Sequence, residues 1–283
     1  MIYFLCNISC IISHNKRICA HNILTLMGYL DYIESKINRG IWSFSSKEMA
    51  DEIGFSPKDR LTVYHKHDRI LTPARGFHVI IPQEYLQTGR LPVDRYIDSL
   101  MAYYSKPYYV GLLTAASYWG SSHQSPMSFQ VITNYNRRNI KGGRNQILFF
   151  RKKNMGIIPV SKQKSPTGYF NISSPELTFF DLILFNRRIG GLDHVTEILS
   201  ELVEQFSMQG INKAVQYFPH AIVQRGAYIL ELSGLNMYCN VLDRFFSKRR
   251  FIYTYLNPSK PQTRKNKHSR WKLFINDEIE IES

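Results

Sequence analysis

The chain has 283 residues, which excludes a mini-protein and leaves room for a sizeable core in two domains. A formal net charge of +14 with 13% aromatic residues points to a polyanionic partner or a strongly acidic protein one. Four cysteines are present, but only Cys239 lies beyond the first twenty residues, which excludes an internal disulfide in the folded body and reads as a cytoplasmic protein.

Residues 1–26 are apolar from Ile2 to Ile12. They lack a basic n-region and a small-residue cleavage site and are too short to span a bilayer, so they are neither a targeting signal nor an anchor. Cys6, Cys10, His14, Cys19 and His21 lack the usual CxxC spacing of a zinc knuckle. No metal and no cofactor are expected. Met27 opens an amphipathic helix directly, so 1–26 is read as a non-native or disordered extension.

Residues 27–82 read as a winged helix-turn-helix DNA-binding domain. Leu30, Ile33 and Ile37 recur at helical spacing, and Gly40 closes the first helix. Ser45 with Glu48 has the form of a capping box. Gly54 ends that second helix, and Ser56 with Pro57 starts another, which makes a helix-turn-helix candidate. Ile70 to Thr72, the turn Pro73-Ala74-Arg75-Gly76 and Phe77 to Ile81 form a hairpin with Arg75 at its tip, the wing. A small core of the first helix with Met49, Ile53, Leu61, Phe77 and Val79 is expected. Glu48, Asp51 and Glu52 make one helix acidic, whereas the recognition helix and hairpin carry bases. Lys58, Arg60, Thr62, His65, Lys66, Arg69 and Arg75 are the candidate DNA contacts, the cations for phosphates and the polar groups for base edges.

Residues 83–92 read as a linker, and 93–276 as a larger α+β domain. A helix is expected over 93–104, then a small-residue helix from Gly111 to Trp119 after Tyr108-Tyr109-Val110. Strands are expected at Phe129 to Thr133, Asn145 to Phe150, Ile157 to Val160 and Tyr169 to Ile172, with Ser161 to Thr167 a polar connection. Ser174-Pro175-Glu176 caps an apolar helix from Leu177 to Phe185. Helices over 193–206, 212–218, 221–232 and 237–246 follow, then a strand pair, Phe251 to Leu256 and Trp271 to Ile275. Residues 277–283 form an acidic tail. The fold class is α+β, a winged helix-turn-helix followed by a larger mixed α+β domain.

Bases cluster in that larger part. Arg137, Arg138, Lys141, Arg144, Arg151, Lys152, Lys153, Lys248, Arg249 and Arg250 form the candidate basic partner surface. No GxGxxG, Walker loop, HExxH or GxSxG is present, so nucleotide hydrolysis and serine-hydrolase chemistry have no motif. His123 in a polar loop reads as a hydrogen-bonding residue, Gly142-Gly143 as a hairpin turn, and Asp277, Glu278, Glu280 and Glu282 as a solvated end. No catalytic residue is assigned.

The run Tyr108-Tyr109-Val110-Gly111-Leu112-Leu113-Thr114-Ala115-Ala116, with Trp119-Gly120, His123-Gln124 and Phe129-Gln130-Val131-Ile132-Thr133, resembles the AbiEi-like antitoxins of bacterial type IV toxin–antitoxin systems. The wing from Ala74 to Val79 and Ser174-Pro175-Glu176-Leu177-Thr178 leading into Asp181-Leu182 resemble the same family. The family's wing commonly carries tyrosine where His78 stands. The resemblance implies a winged helix that represses its own operon by binding double-stranded operator DNA. It also implies a C-terminal antitoxin-type domain countering a nucleotidyltransferase-type toxin, with no stable complex required and no membrane involved. Two other readings stay open, a nucleic-acid-acting enzyme delivered by the winged helix and an RNA-binding protein gripping RNA with its basic segments.

Overall fold

The computed structural model describes residues 28–54, 69–87, 91–121, 126–142, 145–155 and 158–280, with backbone only at 142 and 145. Contacts divide them into two compact units, one reaching Tyr103 and also taking in 141–142, the other running from Tyr104 to Ile140 and from Asn145 onward. The cut falls beyond the 83–92 linker of the sequence reading.

The first unit begins with helix α1 over 28–38, closed by Gly40 at φ 68°. Strand β1 (Ser43–Ser45) leads into α2 (Ser46–Ile53), and β2 (Ile70–Ala74) and β3 (Phe77–Ile80) form a hairpin. β3 is central, with β1 and β2 antiparallel on either side. The strand β1 was not anticipated, because three residues carry no usable alternation. The buried core is Tyr29, Tyr32, Phe44, Met49, Ile70 and Ile80, with Ile33 and Ile53 against it. Ile37, expected inside, is exposed. Two tyrosines therefore shift the buried stripe of α1 round the helix, since their rings have apolar bodies that bury as readily as leucine. Short helices α3 (Gln83–Leu86) and α4 (Ile97–Tyr103) complete the unit. Tyr103 donates its hydroxyl to the Arg75 carbonyl at 3.0 Å and packs its ring on Phe77, which ties α4 to the hairpin turn.

The short β6 (Ile140–Gly142) falls on the division, and the strands wholly in the second unit are β4 (Tyr108–Val110), β5 (Phe129–Thr133), β7 (Asn145–Arg151), β8 (Ser161–Ser165) and β9 (Gly168–Ile172). Their ladder runs β7-β5-β4-β9-β8. It is mixed, antiparallel for β4 with β5 and for β8 with β9, and parallel for β5 with β7 and for β4 with β9. The expected strand ending at Val160 is displaced onto 161–165, the segment read as a polar connection. β8 is an edge strand whose Lys162 and Lys164 point to solvent, and a polar edge blunts further pairing.

Helices α5 (Leu112–Tyr118), α6 (Pro175–Leu184), α7 (Leu192–Leu202), α8 (Met208–Ala214), α9 (His220–Leu232) and α10 (Asn236–Ser247) build the helical half. α6 is central and buried for almost its whole length. Ser174 caps it by accepting from the Leu177 amide, and Pro175 opens it where no donor is required. Glu176 in its first turn is buried and accepts from the Ser207 amide at 2.8 Å and hydroxyl at 3.0 Å, which joins the starts of α6 and α8. α9 crosses α6 closely at Gly226, where a Cβ would lie 2.5 Å from the Phe180 ring.

The chain end forms a small sheet of β10 (Thr254–Tyr255), β11 (Lys267–His268) and β12 (Leu273–Phe274), with β10 and β12 parallel. It is held to α9 and α10 by Arg270, which bridges Glu231 at 2.6 Å and Asp243 at 2.7 Å. The start of the acidic tail is also tied down, since Asp277 accepts from Asn257 at 2.7 Å and the Glu280 carbonyl accepts from Thr196 at 2.9 Å.

Candidate functional site

Lys58, Arg60, Thr62, His65 and Lys66, on the expected recognition helix, lie outside the described residues. What leads to them is well defined. Ser45 accepts from the Glu48 amide at 3.0 Å while the Glu48 carboxylate accepts from the Ser45 amide at 3.3 Å, so the capping box is formed. Gly54 ends α2 in the left-handed conformation, φ 71°. Lys36 locks α1 to this helix. Its buried ammonium donates to Glu52 at 2.9 Å and to Glu48. Burial alone would lower its pKa, but the two carboxylates overcome this and hold it above the usual lysine range.

Arg69 and Arg75 are exposed, Arg69 just before β2 and Arg75 in the turn between β2 and β3. His78 is buried, with its two ring nitrogens 2.8 Å from the Ser46 hydroxyl and 2.9 Å from the Thr72 hydroxyl and its ring against Phe44. His78 is therefore an internal polar link between α2 and the β2–β3 hairpin, and Arg75 is the exposed cation of the hairpin turn.

The YYVGLLTAA run proves structural in detail. Tyr108 to Val110 is the inner strand β4, and Gly111 sits where a Cβ would meet the Ile132 side chain at 2.7 Å. The Gln130 side chain accepts from the Leu113 amide at 2.8 Å, and the Thr114 hydroxyl accepts from the Gln130 amide at 2.9 Å, clamping α5 onto β5. Trp119 donates its indole N–H to the Ser173 carbonyl at 2.9 Å, just before α6.

Beneath this clamp lies a buried charge network. Asp181 of α6 is fully buried and accepts from the Tyr109 hydroxyl at 2.8 Å and from Lys152 Nζ at 3.0 Å. Lys152 also stands 3.6 Å over the Phe218 ring, a cation–π contact. Burial pushes the Asp181 carboxyl above the ordinary range, against the pull of Lys152 and Tyr109, and burial likewise pushes the Tyr109 hydroxyl well up. Lys152, expected on the basic surface, is thus an internal cation. An apolar run that contains one acid, as in Leu177 to Phe185, signals a buried partner of opposite sign. Cys239 is buried and burial pushes its thiol up to about 11, so it is a core residue and not a nucleophile.

Six of the remaining predicted bases, Arg137, Arg138, Arg151, Lys153, Lys248 and Arg249, line three adjoining cavities. One, of about 650 Å³, is lined by Arg137, Arg138, Arg151 and Arg188 with Tyr135 and Phe149. The next, of about 720 Å³, shares Arg151 and adds Lys153, Phe185, Tyr217 and Phe218. A third, of about 570 Å³, shares Gln216 with the second and is lined by Arg244, Lys248 and Arg249. None of the lining residues of the three is an Asp or Glu. Arg250 and Lys141 are exposed and line none of the three, and Arg144 lies outside the described residues. Arg188, Arg244, Phe185 and Tyr217 were not anticipated as site residues, because in the sequence they stand as scattered members of helical segments.

Residues 109–232, the span that holds β4, α5, the charge network and most of the cavity walls, match the family of the AbiEi antitoxin C-terminal domain. Over 109–232 the chain is therefore similar to that antitoxin domain. The crystal structure of the RV2827C protein from Mycobacterium tuberculosis has a similar fold, with a TM-score of 0.59 over 87% of this chain and 90% of that one at 12% identity. No curated protein matches the sequence. The AbiEi-like match supports an antitoxin role in a toxin–antitoxin system. Among the described residues no group of His, Cys, Asp and Glu is disposed to hold a metal ion, and no helix is long and apolar enough to cross a membrane.

Proposed function

We propose that the chain is the antitoxin of a bacterial type IV toxin–antitoxin system and the repressor of its own operon. In this reading the first unit is a winged helix-turn-helix that binds operator DNA, with Arg69 and Arg75 joining Lys58, Arg60 and Lys66 on the phosphates. The second unit counters a nucleotidyltransferase-type toxin in the cytoplasm, without a stable complex and without chemistry of its own. The observation that carries the reading is the AbiEi antitoxin match over residues 109–232. It is supported by the capped helix and β-hairpin of the first unit, whose outward groups are cationic at Arg69 and Arg75.

A gel-shift titration of the full chain on its own promoter tests the DNA half. Binding should weaken steeply with salt, because each neutralised phosphate releases counterions. Arg60→Ala, Lys66→Ala and Arg75→Ala together should abolish the shift while the circular dichroism stays unchanged. No salt-sensitive shift would refute operator binding. Co-expression with the neighbouring gene tests the antitoxin half, which fails if the neighbour is toxic and growth is not restored.

A further inference from the structure

Nothing in operator binding by the first unit uses the three basic cavities of the second. Their cations are arranged in a particular way. The guanidinium of Arg137 lies over the Tyr104 ring at 3.5 Å and also donates to the Tyr104 hydroxyl, and that of Arg188 lies over the Phe150 ring at 3.8 Å, so aromatic residues hold both side chains. Arg138 and Lys153 are exposed. Among the described residues, Lys152 is the only base lining these cavities that pairs with an acid, Asp181. Several like charges around concave walls repel one another and favour a bound polyanion.

The cavities say which polyanion. Half-buried Phe185 and Tyr217 line the middle one beside the exposed amides of Asn154 and Gln216. A duplex carries its phosphates on a convex outside and keeps its bases stacked within, so it would reach the cationic rim and leave the aromatic interior empty. An unpaired strand can lay phosphates on the arginines and turn a base into the aromatic cavity. An acidic peptide would satisfy the charge but not the flat rings.

We propose that the second unit binds an unpaired RNA strand along this tract, its phosphates on Arg137, Arg138, Arg151 and Arg188 and a base in the cavity lined by Phe185 and Tyr217. The amides there offer partners for base edges and 2′-hydroxyls. This site is separate from the proposed operator site, and its failure would leave that reading standing.

The test is fluorescence anisotropy of a labelled, unstructured twelve-nucleotide RNA with the full-length protein. Single-stranded DNA of the same sequence, the matching DNA duplex and a polyglutamate of equal charge serve as competitors. The RNA should be displaced at least tenfold less readily by the duplex and by polyglutamate than by unlabelled RNA. Arg138→Glu with Lys153→Glu, both exposed and outside the core, should lower RNA affinity tenfold or more and flatten its salt dependence. Tyr217→Ala should lower affinity severalfold with little change in the salt slope, the mark of lost stacking rather than lost charge. Equal displacement by the duplex, by single-stranded DNA or by polyglutamate would overturn the proposal. So would unchanged RNA affinity in the charge-reversed protein with an unchanged melting curve.

Discussion

Among the described residues each unit buries one lysine, and the two are buried in different company. Lys36 in the first unit reaches carboxylates whose side chains are 42% and 43% exposed, whereas Lys152 in the second meets Asp181, which is 0% exposed. Water can take over the partners of Lys36 if the pair is broken. It cannot reach Asp181. The first unit is therefore cross-linked by a charge pair at its rim, and the second is built around one inside its core, where each ion depends on the other.

The contrast is broken most directly at Asp181. Asp181→Asn leaves the Lys152 ammonium buried without its counter-ion and should cost about 3–5 kcal/mol, read as a lower urea midpoint. Changing both members, Asp181→Leu with Lys152→Met, should recover most of that loss, because an apolar pair of similar volume needs no compensation. A double variant no more stable than the single would show that the network is not the source of the cost. The same core tolerates little added volume. Gly226→Ala places a methyl 2.5 Å from the Phe180 ring and should cost about 1–3 kcal/mol through overpacking. A stability within error of the parent would mean that α9 can shift off α6.

The smallest effect belongs to the first unit. Lys36→Met should cost about 1 kcal/mol at neutral pH, the upper end for pairs that water screens. Its pH dependence is the sharper signature. A lysine held above its usual range contributes fully below its unfolded pKa, about 10.4, and that contribution is lost as pH rises through the folded value. Tyr32, pushed up to about 12 by burial and then by the charge of Glu48, acts in the same sense, since it ionises first in the unfolded chain. Hydrogen exchange in peptides covering 28–54 should therefore accelerate above pH 10 beyond the intrinsic rise. Tyr32→Phe should reduce the excess, and an unaltered profile in that variant would remove Tyr32 from the account.

How much of this was legible follows from what each residue leaves in a sequence. The cap of α2, the Ser-Pro-Glu start of α6 and the hairpin turn at Arg75 are local, since their partners lie within a few positions, and they read directly. Strand β8 did not, because an edge strand buries little and carries lysines where alternation would show apolar residues. The inward turn of Lys152 was hidden because its partner is 29 residues away on another element, and within Arg151-Lys152-Lys153 nothing distinguishes the middle base from its exposed neighbours. The tyrosine stripe of α1 was missed for a simpler reason, that tyrosine counts as polar in a periodicity argument although its ring packs. The cationic cavities arise where β7, the segment after α6 and α10 converge, and residues brought together only by the fold leave no spacing to read.

In the proposed reading the two units do separable work. The decisive measurement is growth rescue from the neighbouring toxin gene by the chain carrying Arg60→Ala, Lys66→Ala and Arg75→Ala, produced from an independent promoter at parental levels. The account predicts full rescue by this protein, which no longer retards operator DNA. Loss of rescue with the fold and the protein level intact would contradict it, because antitoxin action would then require the DNA-reading surface.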